Sequence, residues 1–98
     1  MNQRDKHVAR ILVNHTYAMM QTLLLPKNAE KGSWSGQSVD ELLDLLDNEL
    51  EEFKAALWSF QYHNGSLDDV VSEGADISNF VAMICDNCKR SQLNENLS

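Results

Sequence analysis

The chain is short of the residues that break helices and of those that staple small folds. Among 98 residues there are one proline, four glycines and two cysteines. So few turn formers argue against a fold of many short strands and toward helices. Cys85 and Cys88 stand one helical turn apart with no second pair to complete a zinc site, so they read as reduced packing residues in preference to redox or metal ligands. Basic residues are also scarce, eight Lys and Arg against fifteen Asp and Glu, which leaves a net charge of −7 and a pI near 4.7. That balance lacks the electrostatic footprint for duplex nucleic acid. It leaves room for a phosphorylated small molecule, because a cation held by carboxylates reverses the sign locally. No run is apolar for the length a bilayer requires, and Asn2-Gln3-Arg4-Asp5-Lys6 is no signal-peptide core, so the expectation is a cytoplasmic protein without membrane contact. The length suits one domain, 1–98. A domain this small can complete its core by self-association.

What the sequence does have is helical periodicity, and acids placed within it. At about 100° per residue, the segment 39–57 puts Leu42, Leu43, Leu46, Leu50, Phe53, Ala56 and Leu57 on one apolar stripe. Glu49 projects inside that stripe, and Glu52 lies on its edge. The segment 70–88 repeats the arrangement with Ile77, Phe80, Val81, Ile84 and Cys88. There Glu73 points between Phe80 and Ile84, and Asp76 sits at the margin beside Met83. An ionised carboxylate aimed into a core is costly unless it is paired or bound to a metal. Two helices that each place one acid inside the stripe and a second at its margin imply facing helices that converge Glu49, Glu52, Glu73 and Asp76 on one point. Oxygen-only donors suit a hard divalent cation, Mg²⁺ or Mn²⁺, and not zinc.

The remaining segments frame these two. The spacing of Val8, Ile11, Leu12, Ala18, Met19 and Leu23 predicts a first helix over 4–25, ended by Pro26. His15 falls in its stripe and reads as a hydrogen-bonded core histidine sooner than a ligand, since oxygen donors already suffice. Segment 27–38 reads as a loop, and within it Lys31 and Trp34 admit two readings: a solvated lysine beside a ring that covers one end of the bundle, or a phosphate contact beside a stacking surface for a base. Ser38 is the expected N-cap of the second helix, with Glu41 completing a capping box, and that helix is expected to run to about Phe60. Asp40, Asp44, Asp47 and Glu51 fall on its solvated face. Asn64-Gly65 marks a turn. Asp68 and Asp69 suit the start of a third helix. Gly74, inside that helix, implies close approach of a neighbouring helix or a ligand. Asn79 and Asn87 lie on the flank of Asp76, where each could hold a water, metal or phosphate oxygen or cap a loop. Segment 91–98 loses the apolar pattern and is expected to be a short helical turn or a frayed tail.

Glu49-x-x-Glu52 followed some twenty residues later by Glu73-x-x-Asp76 resembles the signature of the MazG-like, all-α nucleoside triphosphate pyrophosphohydrolases. The loop Asn28-Ala29-Glu30-Lys31-Gly32-Ser33-Trp34 is similar to the Asn, Lys-Gly and Trp positions ahead of the first acidic helix in small phage and bacterial members. The run from Ala75 through Asp76, Asn79 and Phe80 to Asp86 and Asn87 is similar to their Asp-Val-Ala-Asn-Phe-x-Met-Met-Ile-x-Asp-Asn stretch. The resemblance covers about 28–87 and implies an all-α bundle whose four-helix core is completed by dimerisation, as a homodimer or a dimer of dimers. It implies hydrolysis of a nucleoside triphosphate to the monophosphate and pyrophosphate, with Mg²⁺ held by Glu49, Glu52, Glu73 and Asp76 and with Glu49 or Glu52 as proton acceptor. Lys31 would meet the triphosphate, Trp34 would stack on the base, and Asn79 would support a metal or phosphate oxygen. Two rivals remain: a pyrophosphohydrolase of the same superfamily acting on dUTP or phosphoribosyl-ATP, and a non-catalytic acidic helical protein that self-associates.

Overall fold

The computed structural model describes residues 2–23 and 34–97. Asn2 opens the first helix: its Oδ1 accepts the Asp5 amide at 2.8 Å and its carbonyl accepts the Lys6 amide at 3.1 Å, partnering end groups that the helix itself leaves open. This helix, α1, spans Gln3–Leu23. Its expected stop at Pro26 lies outside the described residues, as does the part 27–33 of the expected loop 27–38, Lys31 included. A single 3-10 turn, Trp34–Gly36, leads into α2.

Ser38 caps α2 as its sequence requires. Its backbone is extended, with φ −71° and ψ 160°, and its hydroxyl accepts the Glu41 amide at 3.1 Å. The helix then runs Val39–Tyr62, two residues past the expected end, because no breaker precedes Asn64-Gly65. At that break Asn64 takes φ 60°, a left-handed conformation that asparagine tolerates better than most residues. The chain turns there so tightly that the amides of His63 and Gly65 both donate to the Ser59 carbonyl, at 2.8 and 2.9 Å. Ser66 then caps α3 through the Asp69 amide at 3.0 Å, with Asp68 and Asp69 in the first turn.

Helix α3 spans Leu67–Leu97, longer than the expected end near Arg90. The loss of apolar spacing after Arg90 marks the loss of a partner surface, whereas continuation of the helix needs only the absence of glycine and proline, and 91–97 contains neither. α3 is the central element: it packs against α2 along a hairpin and against α1 on another side. Among the described residues all regular structure is helical and no strand occurs. No helix among them is long and apolar enough to cross a membrane.

The enclosed interior is small. Leu42 and Ala75 are wholly buried. The buried polar residues Thr22, Asn79 and Asn87 each donate to a backbone carbonyl, the arrangement that makes polar burial tolerable. Leu43, Leu50 and Val81, which periodicity places on the helix stripes, remain 40–47% exposed. Cys85 and Cys88 are free and exposed, so they are not core packing residues as expected. Part of each stripe is thus left uncovered among the described residues.

Candidate metal centre

α2 and α3 lie side by side, and the directions inferred from periodicity bring their acids together across the seam. Glu49, Glu52 and Glu73 each place one carboxylate oxygen so that all three lie within 4.8 Å of one another. Glu49 and Glu73 are half-buried and Glu52 is exposed. One oxygen of Glu49, Oε2, is enclosed and accepts no hydrogen bond. Asp76 is half-buried one turn beyond Glu73. It falls outside the close group of three oxygens, yet its charge still reaches Glu49.

The electrostatic consequence is concentrated on one residue. Burial pushes the Glu49 carboxyl up from 4.5 to about 7, helped by the negative charges of Glu52 and Asp76, by a hydrogen bond with Glu52 that favours the protonated form, and by the charge of Glu73. Without a cation the cluster therefore holds a proton near neutral pH. A hard divalent cation fits the same residues on two counts. All donors are oxygen, and an enclosed carboxylate oxygen without a hydrogen-bond partner is a group that a cation would satisfy.

Glu51, expected on the outer face, is exposed and bridges to Lys54 at 3.2 Å, so that lysine lies with the solvated charges. His15 is half-buried, not enclosed in a core, and shares a hydrogen bond of 2.8 Å with Ser78 that ties α1 to α3. Gly74 does not need its lack of a side chain: a Cβ there would meet Phe53 Cε2 at 3.5 Å and His15 Cε1 at 4.0 Å, ordinary contact distances. Close approach is thus not the reason for that glycine.

Asn79 donates from Nδ2 to the Met19 carbonyl at 3.0 Å, a link from α3 to the last turn of α1. Trp34 is docked on the far part of α3, its indole N–H donating to Asp86 Oδ2 at 3.0 Å. Asn87 takes the loop-capping option: Nδ2 donates to the carbonyls of Trp34 and Gln37 at 3.3 and 3.0 Å. Arg90 Nε lies 3.1 Å from Asp86 Oδ2, and Arg90 also donates to Asn87 Oδ1. The partnership of Asp86 and Arg90 with the Trp34 turn was missed from sequence. Their i, i+4 spacing was the one available sign.

No protein-family model, curated protein or solved structure matches the chain.

Proposed function

We propose that the chain is a Mg²⁺-dependent pyrophosphohydrolase of the MazG-like type, converting (deoxy)nucleoside triphosphates to the monophosphate and pyrophosphate in nucleotide-pool house-cleaning. The observation that carries this reading is the enclosed Glu49 oxygen, without a hydrogen bond, inside a group of three glutamate oxygens within 4.8 Å. Glu51 differs: it is exposed and paired with Lys54.

In this reading Glu49, Glu52, Glu73 and Asp76 hold Mg²⁺, with Mn²⁺ as a substitute. When bound, the cation neutralises charge on the phosphates and lowers the pKa of the attacking water. The carboxylates would hold the cation that the phosphates meet, and Glu49 or Glu52 accepts the proton that the water loses as its oxygen bonds to phosphorus. The phosphoanhydride bond breaks and pyrophosphate leaves. Lys31 meets the triphosphate and Trp34 lies against the base. Asn79 steadies the site through its hold on α1, with a metal or phosphate oxygen as the expected further contact. The protein works in the cytoplasm as a homodimer or a dimer of dimers, its four-helix core completed by the partner.

The test is pyrophosphate release from a panel of ribo- and deoxynucleoside triphosphates, dUTP and phosphoribosyl-ATP included, with and without Mg²⁺. The expected result is metal-dependent turnover reduced by at least about a hundredfold in Glu49→Gln. A preference for dUTP or phosphoribosyl-ATP would move the assignment within the superfamily. If a folded protein turns over none of them, the reading is overturned. The extent of exposed apolar surface then favours the second reading, a non-catalytic helical protein that associates with itself.

A further inference from the structure

Three residues that the proposed chemistry leaves unused converge on the turn ahead of α2. Asp86 Oδ2 accepts the Trp34 indole N–H and also faces Arg90 Nε at 3.1 Å. Asn87, 8% exposed, spends Nδ2 on the carbonyls of Trp34 and Gln37, and its Oδ1 accepts from Arg90. Both polar ends of Asn87 are therefore committed to protein, and it does not act as a ligand. The Asp86–Arg90 pair is about half exposed, with side chains at 47% and 40%, and a pair so placed adds little stability. What the network does is hold one ring and one turn in a single position.

The placement of the turn follows from helix geometry. Asn87, which holds the turn's carbonyls, follows Asp76 by eleven residues, about three full turns, so it lies within about 20° of Asp76 around α3, and Asp86, which holds the indole, projects about 80° to one side. The axial separation is about 16 Å, comparable to an extended nucleoside triphosphate. We propose that Asp86, Asn87 and Arg90 are positioning residues that clamp the Trp34 turn so that its indole walls the base end of the substrate, while the carboxylates would hold the cation that the phosphate end meets. The proposal rests on the pyrophosphohydrolase reading, and its test separates the two.

Trp58→Phe leaves Trp34 as the only tryptophan and serves as the parent. In it, Asp86→Ala is expected to raise KM about tenfold and to change kcat by less than about twofold, because base positioning is lost and the metal site is untouched. Asp86→Asn keeps an acceptor for the indole N–H and is expected to recover most of the KM. Trp34→Phe keeps a ring without the N–H and is expected to raise KM while the protein stays folded. Mn²⁺ binding without nucleotide, followed by electron paramagnetic resonance, should be unchanged in Asp86→Ala and weakened in Glu49→Gln. An unchanged KM and unchanged Trp34 emission in Asp86→Ala would overturn the clamp, as would a fall in kcat at constant KM or an Asp86→Asn no better than Asp86→Ala. If the parent hydrolyses nothing, a non-hydrolysable triphosphate decides. Quenching of Trp34 that weakens about tenfold in Asp86→Ala would sustain the clamp and overturn catalysis. Absence of quenching in the parent would overturn both.

Discussion

The raised pKa of Glu49 sets how its charge affects stability across pH. Its carboxyl has an ordinary pKa of 4.5 and is raised to about 7 in the folded chain. The folded state thus binds a proton that the unfolded state has already lost between those values. This contribution to stability is fully present below pH 4.5 and is lost as pH rises through about 7. The full shift converts at about 1.4 kcal/mol per pH unit, but Glu49 is only half-buried, and solvent screening brings the expectation to about 1 kcal/mol. In the presence of a chelator, Glu49→Gln should therefore be more stable than the parent by about 1 kcal/mol at pH 8 and close to it at pH 4.5, measured by urea unfolding. Mg²⁺ should reverse the order. At about ten times its dissociation constant it adds about 1.4 kcal/mol to the parent at pH 8, and it should do little for the Gln variant. Parallel stability curves for the two proteins across this range would remove the basis for a coupled acid cluster. The approach of Glu49 and Glu73 was legible in the sequence because a carboxylate inside an apolar stripe contradicts the period around it, whereas Asp76, expected at the same point, falls outside the close group. The bond from Asp86 to Trp34 was not legible, since it spans 52 positions and an aspartate at a helix margin is commonplace.

The helices themselves were legible where local chemistry decides, as at Ser38, whose hydroxyl accepts the Glu41 amide, and at Asn64, where the chain turns with φ 60°. They were less so where a long-range partner, or its absence, decides, as at the far end of α3. Two glycines on these elements should behave oppositely. At Gly65 a Cβ would lie 2.5 Å from Ser59 Oγ and 2.9 Å from both Phe60 N and Ser59 C. The backbone atoms have no rotamer through which to yield, so Gly65→Ala should destabilise by about 1–3 kcal/mol. At Gly74 the nearest atom would be Phe53 Cε2 at 3.5 Å, which an added methyl can pack against. There alanine relieves the helix of glycine's entropy, and Gly74→Ala should stabilise by about 0.5–1 kcal/mol. Thermal unfolding of both variants checks the pair together. A destabilised Gly74→Ala would mean that something beyond Phe53 and His15 comes close to that position, as a ligand between α2 and α3 would.

A chain of this length folded alone into a compact globule has a radius of gyration of about 13 Å. The observed value is 16.1 Å, with principal extents of 52 × 37 × 22 Å, so three helices spread farther than their own packing requires. The reason is visible in what they fail to cover. On α1, Val8, Ile11 and Leu12 are 40–61% exposed, and Val8 and Leu12 line a shallow concave strip with Arg4, Asp5 and Ala9. At the hairpin end the Trp58 ring lies 4.2 Å from His63 and 6.3 Å from Tyr62, both tilted, while Trp58 and Tyr62 remain 57% and 69% exposed. Scattered single hydrophobes are normal on a surface, but contiguous ones are covered in most soluble proteins. Periodicity revealed the stripes, yet a stripe does not say whether its neighbour belongs to the same chain. If a second copy supplies that neighbour, folding and association are linked and stability depends on concentration. The thermal midpoint should then rise with protein concentration, a tenfold increase adding about 1.4 kcal/mol to a two-subunit equilibrium. Leu12→Asp would set a charge in the covered face, and sedimentation should show it smaller than the parent under the same conditions. A midpoint independent of concentration, with both proteins sedimenting as single chains, would leave the α1 face uncovered in solution and would require the carboxylates of α2 and α3 to work within one protomer.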